Sequence, residues 1–131
     1  MRTLATVFKA LCDETRLQMM ALLLREKELC VCDVMEVLQI SQSKASRHLR
    51  FLYIAGLLKD RREAVWVHYR ISDELDAART KVVEALREIL PKTVPAELFA
   101  DLKDWKKRKA QGGAVCKTPE KRARAAAGGS R

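Results

Sequence analysis

The sequence of 131 residues predicts a mainly α-helical domain with one small β-hairpin, an α+β arrangement. Apolar residues recur every three or four positions over most of the first 90 residues, which is typical of packed helices. The period changes to two in the run VWVHYRI at residues 65–71, which is typical of a strand. Hydrophobic residues make up 48% of the chain, so we expect a folded core.

Three helices are predicted in the first 40 residues. The first helix turns an apolar face inward, formed by Leu4, Val7, Phe8 and Leu11. Asp13 is the expected N-cap of the second helix, which carries the stripe Leu17, Met20, Ala21 and Leu24. Asp33 is the expected N-cap of a short third helix with Val34, Val37 and Leu38 turned inward.

A helix-turn-helix and a hairpin follow. Ser41 is the expected N-cap of a fourth helix, which Gly56 ends and whose inner side is formed by Ala45, Leu49 and Leu52. Two strands are predicted at residues 57–61 and 65–71, with Arg61, Arg62, Glu63 and Ala64 as the turn. Two helices joined by a short turn and followed by a basic hairpin form a winged helix-turn-helix.

The remaining sequence predicts two helices and a tail. A long helix begins at Ser72 or Asp73, and Pro91 and Pro95 bracket its end. A short helix then begins at Pro95 and carries Leu98, Leu102 and Trp105. We therefore divide the chain into a winged helix-turn-helix and dimerisation domain (1–92), a C-terminal helix (93–110) and a basic tail that we expect to be disordered (111–131).

The long helix has more apolar surface than a domain of this size needs for its own core. With the first helix as its partner, this surface predicts a homodimer with two recognition elements about one DNA turn apart. The expected interface residues are Leu4, Phe8, Leu11, Leu75, Val82, Leu86 and Ile89. The alternative is a helix that is simply buried within one chain.

The net charge of +9 is unevenly distributed. Residues 103–131 carry ten basic residues against Asp104 and Glu120, whereas the first 102 residues are almost neutral. Within those 102 residues, the segment 41–70 is basic and both flanking segments are acidic. A basic segment between acidic ones indicates a localised surface that binds a polyanion.

The basic segment coincides with the fourth helix and the hairpin, so we expect double-stranded DNA as the partner. The amino end of the second helix of a helix-turn-helix enters the major groove, where short polar and cationic side chains read bases or bind phosphates. The predicted contacts are Gln42, Ser43, Lys44, Ser46, Arg47, His48 and Arg50 on the helix, and Arg61 and Arg62 on the hairpin. The alternative is an ordinary solvated polar face.

The sequence contains no apolar run long enough to cross a membrane, and charged residues interrupt its amino terminus early. We therefore expect a cytoplasmic protein without membrane contact, in which four cysteines act as thiols or metal ligands. An enzyme is disfavoured, because no glycine-rich phosphate loop is present and no Cys-His-acid grouping lies outside the DNA-binding segment.

Cys30 and Cys32 lie just before the first helix of the helix-turn-helix. Thiolates prefer soft metal ions and arsenic(III) or antimony(III) over hard cations. Side chains two residues apart diverge on a helix and share one side of an extended segment, so both sulfurs can hold one ion only where the helix start is not helical or is distorted. Such a site opposes the geometry of the adjacent DNA-binding element and would act as a switch. The alternative is a pair of small core residues.

Four segments together resemble the ArsR-type metalloregulatory repressors, and most closely their arsenite- and antimonite-responsive branch. They are ELCVCDV at residues 28–34, SQSKASRHL at 41–49, GLL at 56–58 and WVHYR at 66–70, within a similarity over roughly residues 3–90. The resemblance implies a homodimeric repressor of a resistance operon that leaves operator DNA when arsenic(III) or antimony(III), as inducer, binds its thiols. It implies no permanent cofactor.

The chain departs from that branch at Met35, where the family typically has a third cysteine. Three sources of a third thiol remain: Cys116 in the tail, Cys12 at the end of the first helix, or an external thiol such as glutathione. We favour Cys116, because an isolated cysteine in a polar tail has no packing role, whereas Cys12 is expected to pack.

Three other functions compete with this interpretation. A cadmium- or lead-responsive repressor would use the same thiols, and a thiol-redox sensor would need their pKa values lowered at the helix start. A nonspecific architectural DNA binder would use the tail alone and would leave the cysteine pair unexplained. A zinc site on the long helix is disfavoured, because that helix contains no histidine.

Overall fold

The computed structural model describes residues 3–112 and has the expected winged helix-turn-helix architecture. Its elements in chain order are α1 (Leu4–Leu11), α2 (Glu14–Arg25), β1 (Leu29–Cys30), α3 (Val31–Leu38), α4 (Gln42–Ile54), β2 (Leu58–Glu63), β3 (Trp66–Ile71), α5 (Ala77–Thr93) and α6 (Ala96–Ala110). None of these described helices has both the length and the apolar content needed to span a bilayer.

Two N-caps predicted from the sequence are confirmed. The Asp13 carboxylate accepts the backbone N–H of Arg16 at 3.0 Å, and the Ser41 hydroxyl accepts that of Lys44 at 3.1 Å. Each bond satisfies an N–H group that the first turn of a helix leaves without a partner. These caps fix the starts of α2 and of α4, the second helix of the helix-turn-helix.

The start of α3 differs from the prediction. Cys30 is the N-cap, in extended backbone, and Asp33 is the third residue of the helix instead of its cap. The reason is a reciprocal capping box, in which the Asp33 carboxylate accepts the Cys30 N–H at 2.9 Å and the Cys30 sulfur accepts the Asp33 N–H. The helix therefore includes Cys32.

The sheet has three antiparallel strands in the order β1-β3-β2. Strand β1, which pairs Leu29 with Tyr69 and Cys30 with His68, was not predicted. The predicted hairpin turn is also wrong, because Arg61 and Arg62 lie within β2 and the turn is at Ala64 and Val65. Ala64 adopts a φ of 55°, a left-handed conformation that closes the turn in fewer residues than expected.

The long helix begins later than predicted, whereas its end lies between Pro91 and Pro95 as predicted. α5 begins at Ala77, because Asp76 caps it by accepting the Arg79 N–H at 2.9 Å, so Leu75 precedes the helix. Pro91 lies inside α5, which continues to Thr93, since a proline removes only one N–H donor near the helix end. α6 is 15 residues long, longer than the short helix that was expected.

The core is centred on α2 and includes the C-terminal helix. Met19, Met20, Leu22 and Leu23 of α2 are fully or almost fully buried. Leu98, Leu102 and Trp105 of α6 join the same core, and α6 packs against α3. Arg79 is also buried and donates from Nε to the Ala55 carbonyl at 2.9 Å, which ties α5 to the end of α4.

Replacing Ala64 by Gly should stabilise the protein, because a left-handed conformation costs a residue with a Cβ about 1 kcal/mol that glycine does not incur. Urea denaturation at pH 7 should show this increase in the free energy of unfolding. The control is Ala100→Gly on the exposed face of α6, which should lower stability by about 1 kcal/mol. Destabilisation by both changes would contradict the turn geometry.

Candidate functional site

Helix α4 presents polar and cationic side chains along one side of its first two turns. Ser43, Lys44, Arg47 and Arg50 are exposed, and Gln42 and Ser46 are half-buried. The opposite side is anchored by Ala45, Leu49 and Leu52, which are fully buried. The helix is therefore held by its apolar side while its amino end and cations face outward, as phosphate and base-edge contacts require.

His48 lies apart from this exposed row. Its Nδ1 is 2.9 Å from Nη1 of Arg16. The Nε of Arg16 donates to the Ala10 carbonyl at 2.6 Å, and the Arg16 guanidinium lies over the Phe51 ring. Burial lowers the pKa of His48, the Asp13 carboxylate opposes this, and the Arg16 charge lowers the pKa further. A neutral ring that accepts from Arg16 joins α2 to α4, so His48 has a supporting position instead of a free cationic one.

Arg61 and Arg62, the two predicted DNA contacts in β2, have different surroundings. Arg61 is engaged with Glu28 through Nη2–Oε1 at 2.6 Å and with Glu63 at 3.3 Å. Arg62 lies with Arg47 and Arg50 around an open groove of ≈ 840 Å³ between α4 and the sheet. The predicted basic surface is thus assembled from α4 and β2, with Arg61 partly neutralised at its edge.

Cys30 and Cys32 lie at the junction of β1 and α3. Cys30 is 4% exposed in the last position of β1, and Cys32 is 0% exposed in the first turn of α3. Burial raises the pKa of the Cys30 thiol, and the Asp33 carboxylate raises it further, against the opposing charge of Lys109. A ligand can therefore reach both sulfurs only if this first turn opens.

Asp33 is a member of this site that was not predicted. It is 7% exposed, and its two carboxylate oxygens accept from three donors. Oδ2 takes the Cys30 N–H at 2.9 Å, whereas Oδ1 takes the Trp105 indole N–H at 2.8 Å and the Lys109 ammonium at 2.7 Å. Burial raises the pKa of Asp33, but these donors together outweigh it and hold that pKa below its usual value.

The two remaining cysteines lie far from each other in the sequence. Cys12 is exposed at the C-cap of α1, so the expectation that it packs in the core is wrong. Cys116 and the rest of the predicted tail beyond Gly112 lie outside the described residues. Met35 is buried in α3. Within residues 3–112, no cluster of three or more His, Cys, Asp or Glu residues could hold a metal ion.

The residues predicted for a dimer interface are split between exposed and half-buried positions. Leu4, Phe8 and Ile89 are 46%, 56% and 49% exposed, which leaves large apolar side chains of α1 and α5 in contact with water. The half-buried remainder packs at the margin of the core: Leu11, Leu75, Val82 and Leu86. An exposed apolar patch of this kind is typical of an interaction surface.

Comparison of the sequence with known proteins gives consistent matches. Residues 13–60 match the family described as bacterial regulatory protein, arsR family. The chain is 49% identical over 88 residues to the arsenic resistance transcriptional regulator ArsR1 of Pseudomonas putida, covering 64% of this chain and 69% of that relative. It is 49% identical over 78 residues to the arsenical resistance operon repressor of Escherichia coli, covering 60% and 67%.

Solved structures show the same architecture. A homodimeric winged helix-turn-helix DNA-binding domain, Mb0332 from Mycobacterium bovis, is similar with a TM-score of 0.56 and 27% identity, covering 70% of this chain and 81% of that one. The AntR antimony-specific transcriptional repressor is similar with a TM-score of 0.54 and 26% identity, covering 67% and 77%.

Acidification should weaken the fold through His48. Because the folded-state pKa lies below the unfolded value of about 6.5, the stabilisation is present above that pH and is lost as the pH falls through the folded pKa. The wild-type free energy of unfolding should therefore drop more between pH 7 and pH 5 than that of His48→Gln.

Urea titrations at both pH values measure this difference. Arg16→Met, which removes the donor to the same ring, should also reduce the difference. Identical losses of stability in the wild type and in His48→Gln would show that this ring does not carry the pH dependence.

Proposed function

The chain belongs to the ArsR family of bacterial regulatory proteins, and from this premise we propose that it is an arsenite- and antimonite-responsive repressor that binds operator DNA as a homodimer. It is a DNA-binding regulator and not an enzyme. The observation that carries the proposed response is the thiol pair Cys30 and Cys32 at the start of the helix that supports α4.

Operator binding is supported by the exposed row on α4. Lys44, Arg47 and Arg50 reach phosphates or guanine edges from a helix whose amino end enters the major groove, while Gln42, Ser43 and Ser46 offer short polar contacts. Arg62 extends the basic surface from β2. The double-stranded DNA that such a surface contacts lies in the cytoplasm of a bacterium, where we place the protein.

Dimerisation is supported by the exposed apolar side chains of α1 and α5. Phe8 and Ile89, each about half exposed, gain most from burial, at about 25 cal/mol for each Å² of apolar area removed from water. A solved neighbour of the same architecture is described as homodimeric. A two-fold axis would present two α4 helices to successive major grooves of a palindromic operator.

Arsenite suits the thiol pair on chemical grounds. Each As–S bond replaces an As–OH bond, and the hydroxyl group leaves with the thiol proton as water. Sulfur is the soft donor that arsenic(III) and antimony(III) prefer. In the reduced chain, Cys30 and Cys32 supply two sulfurs, and we propose Cys116 as the third ligand in place of Met35.

Release from DNA follows from the position of the pair. Both sulfurs are buried and the Cys30 sulfur accepts the Asp33 N–H, so capture by the pair requires the first turn of α3 to open. Because α3 packs on α4, this opening moves α4 out of register with the groove. A coupling of about 2–3 kcal/mol would weaken DNA binding about 30- to 150-fold.

A thiol-redox sensor is not favoured by this site. Such a sensor needs an accessible thiol of lowered pKa, whereas Cys30 is buried and burial raises its pKa. Cadmium and lead use the same sulfur donors, so they are tested as competing inducers.

Replacing Cys32 by Ser should abolish the response and leave DNA binding within about twofold of wild type, because no DNA-facing residue changes. The measurement is the fluorescence anisotropy of DNA from upstream of the chain's own gene, titrated with arsenite under reducing conditions. Cadmium, lead, zinc and peroxide serve as parallel titrants.

The control is Cys12→Ser, which should respond normally. Release of Cys32→Ser by arsenite would refute the assignment of the pair. Loss of DNA binding in Cys32→Ser would mean that the pair is structural.

The basic tail should increase the affinity for DNA, and this increase should fall as the salt concentration rises. Truncation after residue 110 removes five of the ten basic residues of the segment 103–131. For each phosphate that the shortened chain no longer neutralises, the slope of log K against log salt should become shallower by about 0.9. Anisotropy titrations from low to moderate salt measure this slope. An unchanged slope would exclude an electrostatic role for the tail.

A further inference from the structure

We infer that α6 is a latch that closes the thiol site: its Trp105 and Lys109 hold Asp33, and through Asp33 they keep Cys30 and Cys32 in the DNA-binding arrangement. This inference rests on the proposed function for the identity of the inducer. The latch itself is carried by the contacts of the described residues.

The Asp33 carboxylate connects α6 to the capping box of α3. Oδ2 of Asp33 holds the Cys30 N–H, and Oδ1 holds the Trp105 indole and the Lys109 ammonium. Two residues one turn apart on α6 thus converge on a single oxygen, 72 and 76 positions away in the sequence. The docking of α6 is therefore joined directly to the capping box of α3.

Separating the Asp33 carboxylate from its donors on α6 costs free energy. Asp33 is 7% exposed and Trp105 is 2% exposed, so water does not replace the indole in the closed form, whereas the Lys109 side chain is 40% exposed. A buried charge that loses its hydrogen bonds is strongly disfavoured, and the carboxylate therefore stays with its donors or moves with them. The capping box and the docked α6 form one cooperative unit.

Inducer capture by the two sulfurs conflicts with the capping box of α3. The capping box requires the Cys30 sulfur to accept the Asp33 N–H, whereas capture turns that sulfur toward the one of Cys32. Breaking the box displaces Asp33 from Cys30 and thereby from the position that Trp105 and Lys109 hold. Capture of arsenite and docking of α6 are therefore mutually exclusive.

This exclusion has a reciprocal consequence. If arsenite binding releases α6, then a variant that weakens the docking of α6 by a given factor must tighten arsenite binding by that same factor. The variants are Trp105→Phe, which keeps an aromatic ring and removes the N–H donor, and Lys109→Met, which keeps the aliphatic stem and removes the charge. Each should lower the arsenite concentration for half-release from DNA about tenfold, because one hydrogen bond to a charged group shifts an equilibrium by that order.

A matched control lies on the same helix. Lys106 forms an ion pair with Glu26 beyond the end of α2, so Lys106→Met removes an equal charge from α6 without touching Asp33. It should leave the response to arsenite unchanged. A purely structural role of α6 would instead lower the thermal stability of all three variants without tightening arsenite in any of them.

A second measurement needs no inducer. The rate at which iodoacetamide alkylates Cys30 in the reduced full-length protein reports how often the site opens. This rate should rise about tenfold in Trp105→Phe and in Lys109→Met, for the same hydrogen-bond reason, and stay at the wild-type value in Lys106→Met. Mass spectrometry of the labelled peptides separates Cys30 from the exposed Cys12.

The emission of Trp105 gives a direct view of the latch. In a Trp66→Phe background, which removes the other tryptophan of the chain, arsenite should shift the emission to longer wavelengths as the indole meets water. Adding Cys32→Ser should abolish the shift. Latch variants that match Lys106→Met in alkylation rate and in arsenite response would overturn the inference.

The outcomes separate the two claims. A wild-type protein that stays on DNA in arsenite, with alkylation still accelerated in the latch variants, would refute the proposed inducer and support the latch. A normal arsenite response with no acceleration and no tightening would refute the latch and leave the proposed function intact.

Discussion

The buried carboxylate of Asp33 is the constraint on which the arrangement of this chain depends. A charge with so little exposure needs donors, and it takes them from the end of β1, from the indole of Trp105 and from the ammonium of Lys109. This fixes where α3 begins and where α6 docks. Since α3 packs on α4, the same carboxylate also helps to fix the position of α4 and of its outward-facing cationic side chains.

Local signals in the sequence were sufficient for most of the helices. Asp13 and Ser41 cap the helices they precede, and the buried residues of α4 follow the predicted period. These features depend on neighbours within four positions, which a sequence displays directly. The fold class followed from them, because a helix-turn-helix and an adjacent hairpin leave few other arrangements.

The errors arose where distant residues decide the local structure. Asp33 looks like an N-cap when only its neighbours are considered, but its carboxylate turns back to Cys30 under a hold from α6. The two-residue strand β1 exists only because β3 offers it a ladder, and Arg61 is engaged by Glu28 from 33 positions away. For the site, the sequence predicted the cysteine pair and the cationic row but gave no sign of Trp105 and Lys109.

The burial of both sulfurs has a consequence for timing. An inducer that meets a closed site must wait for a spontaneous opening, so at high concentration the rate of response levels off at the opening rate and no longer follows collision frequency. The burial of Cys30 and Cys32 then makes the response depend on how long the exposure to the inducer lasts. If the proposed inducer binds this pair, exposures shorter than the opening time leave transcription unchanged, whereas longer ones open enough sites for release from DNA.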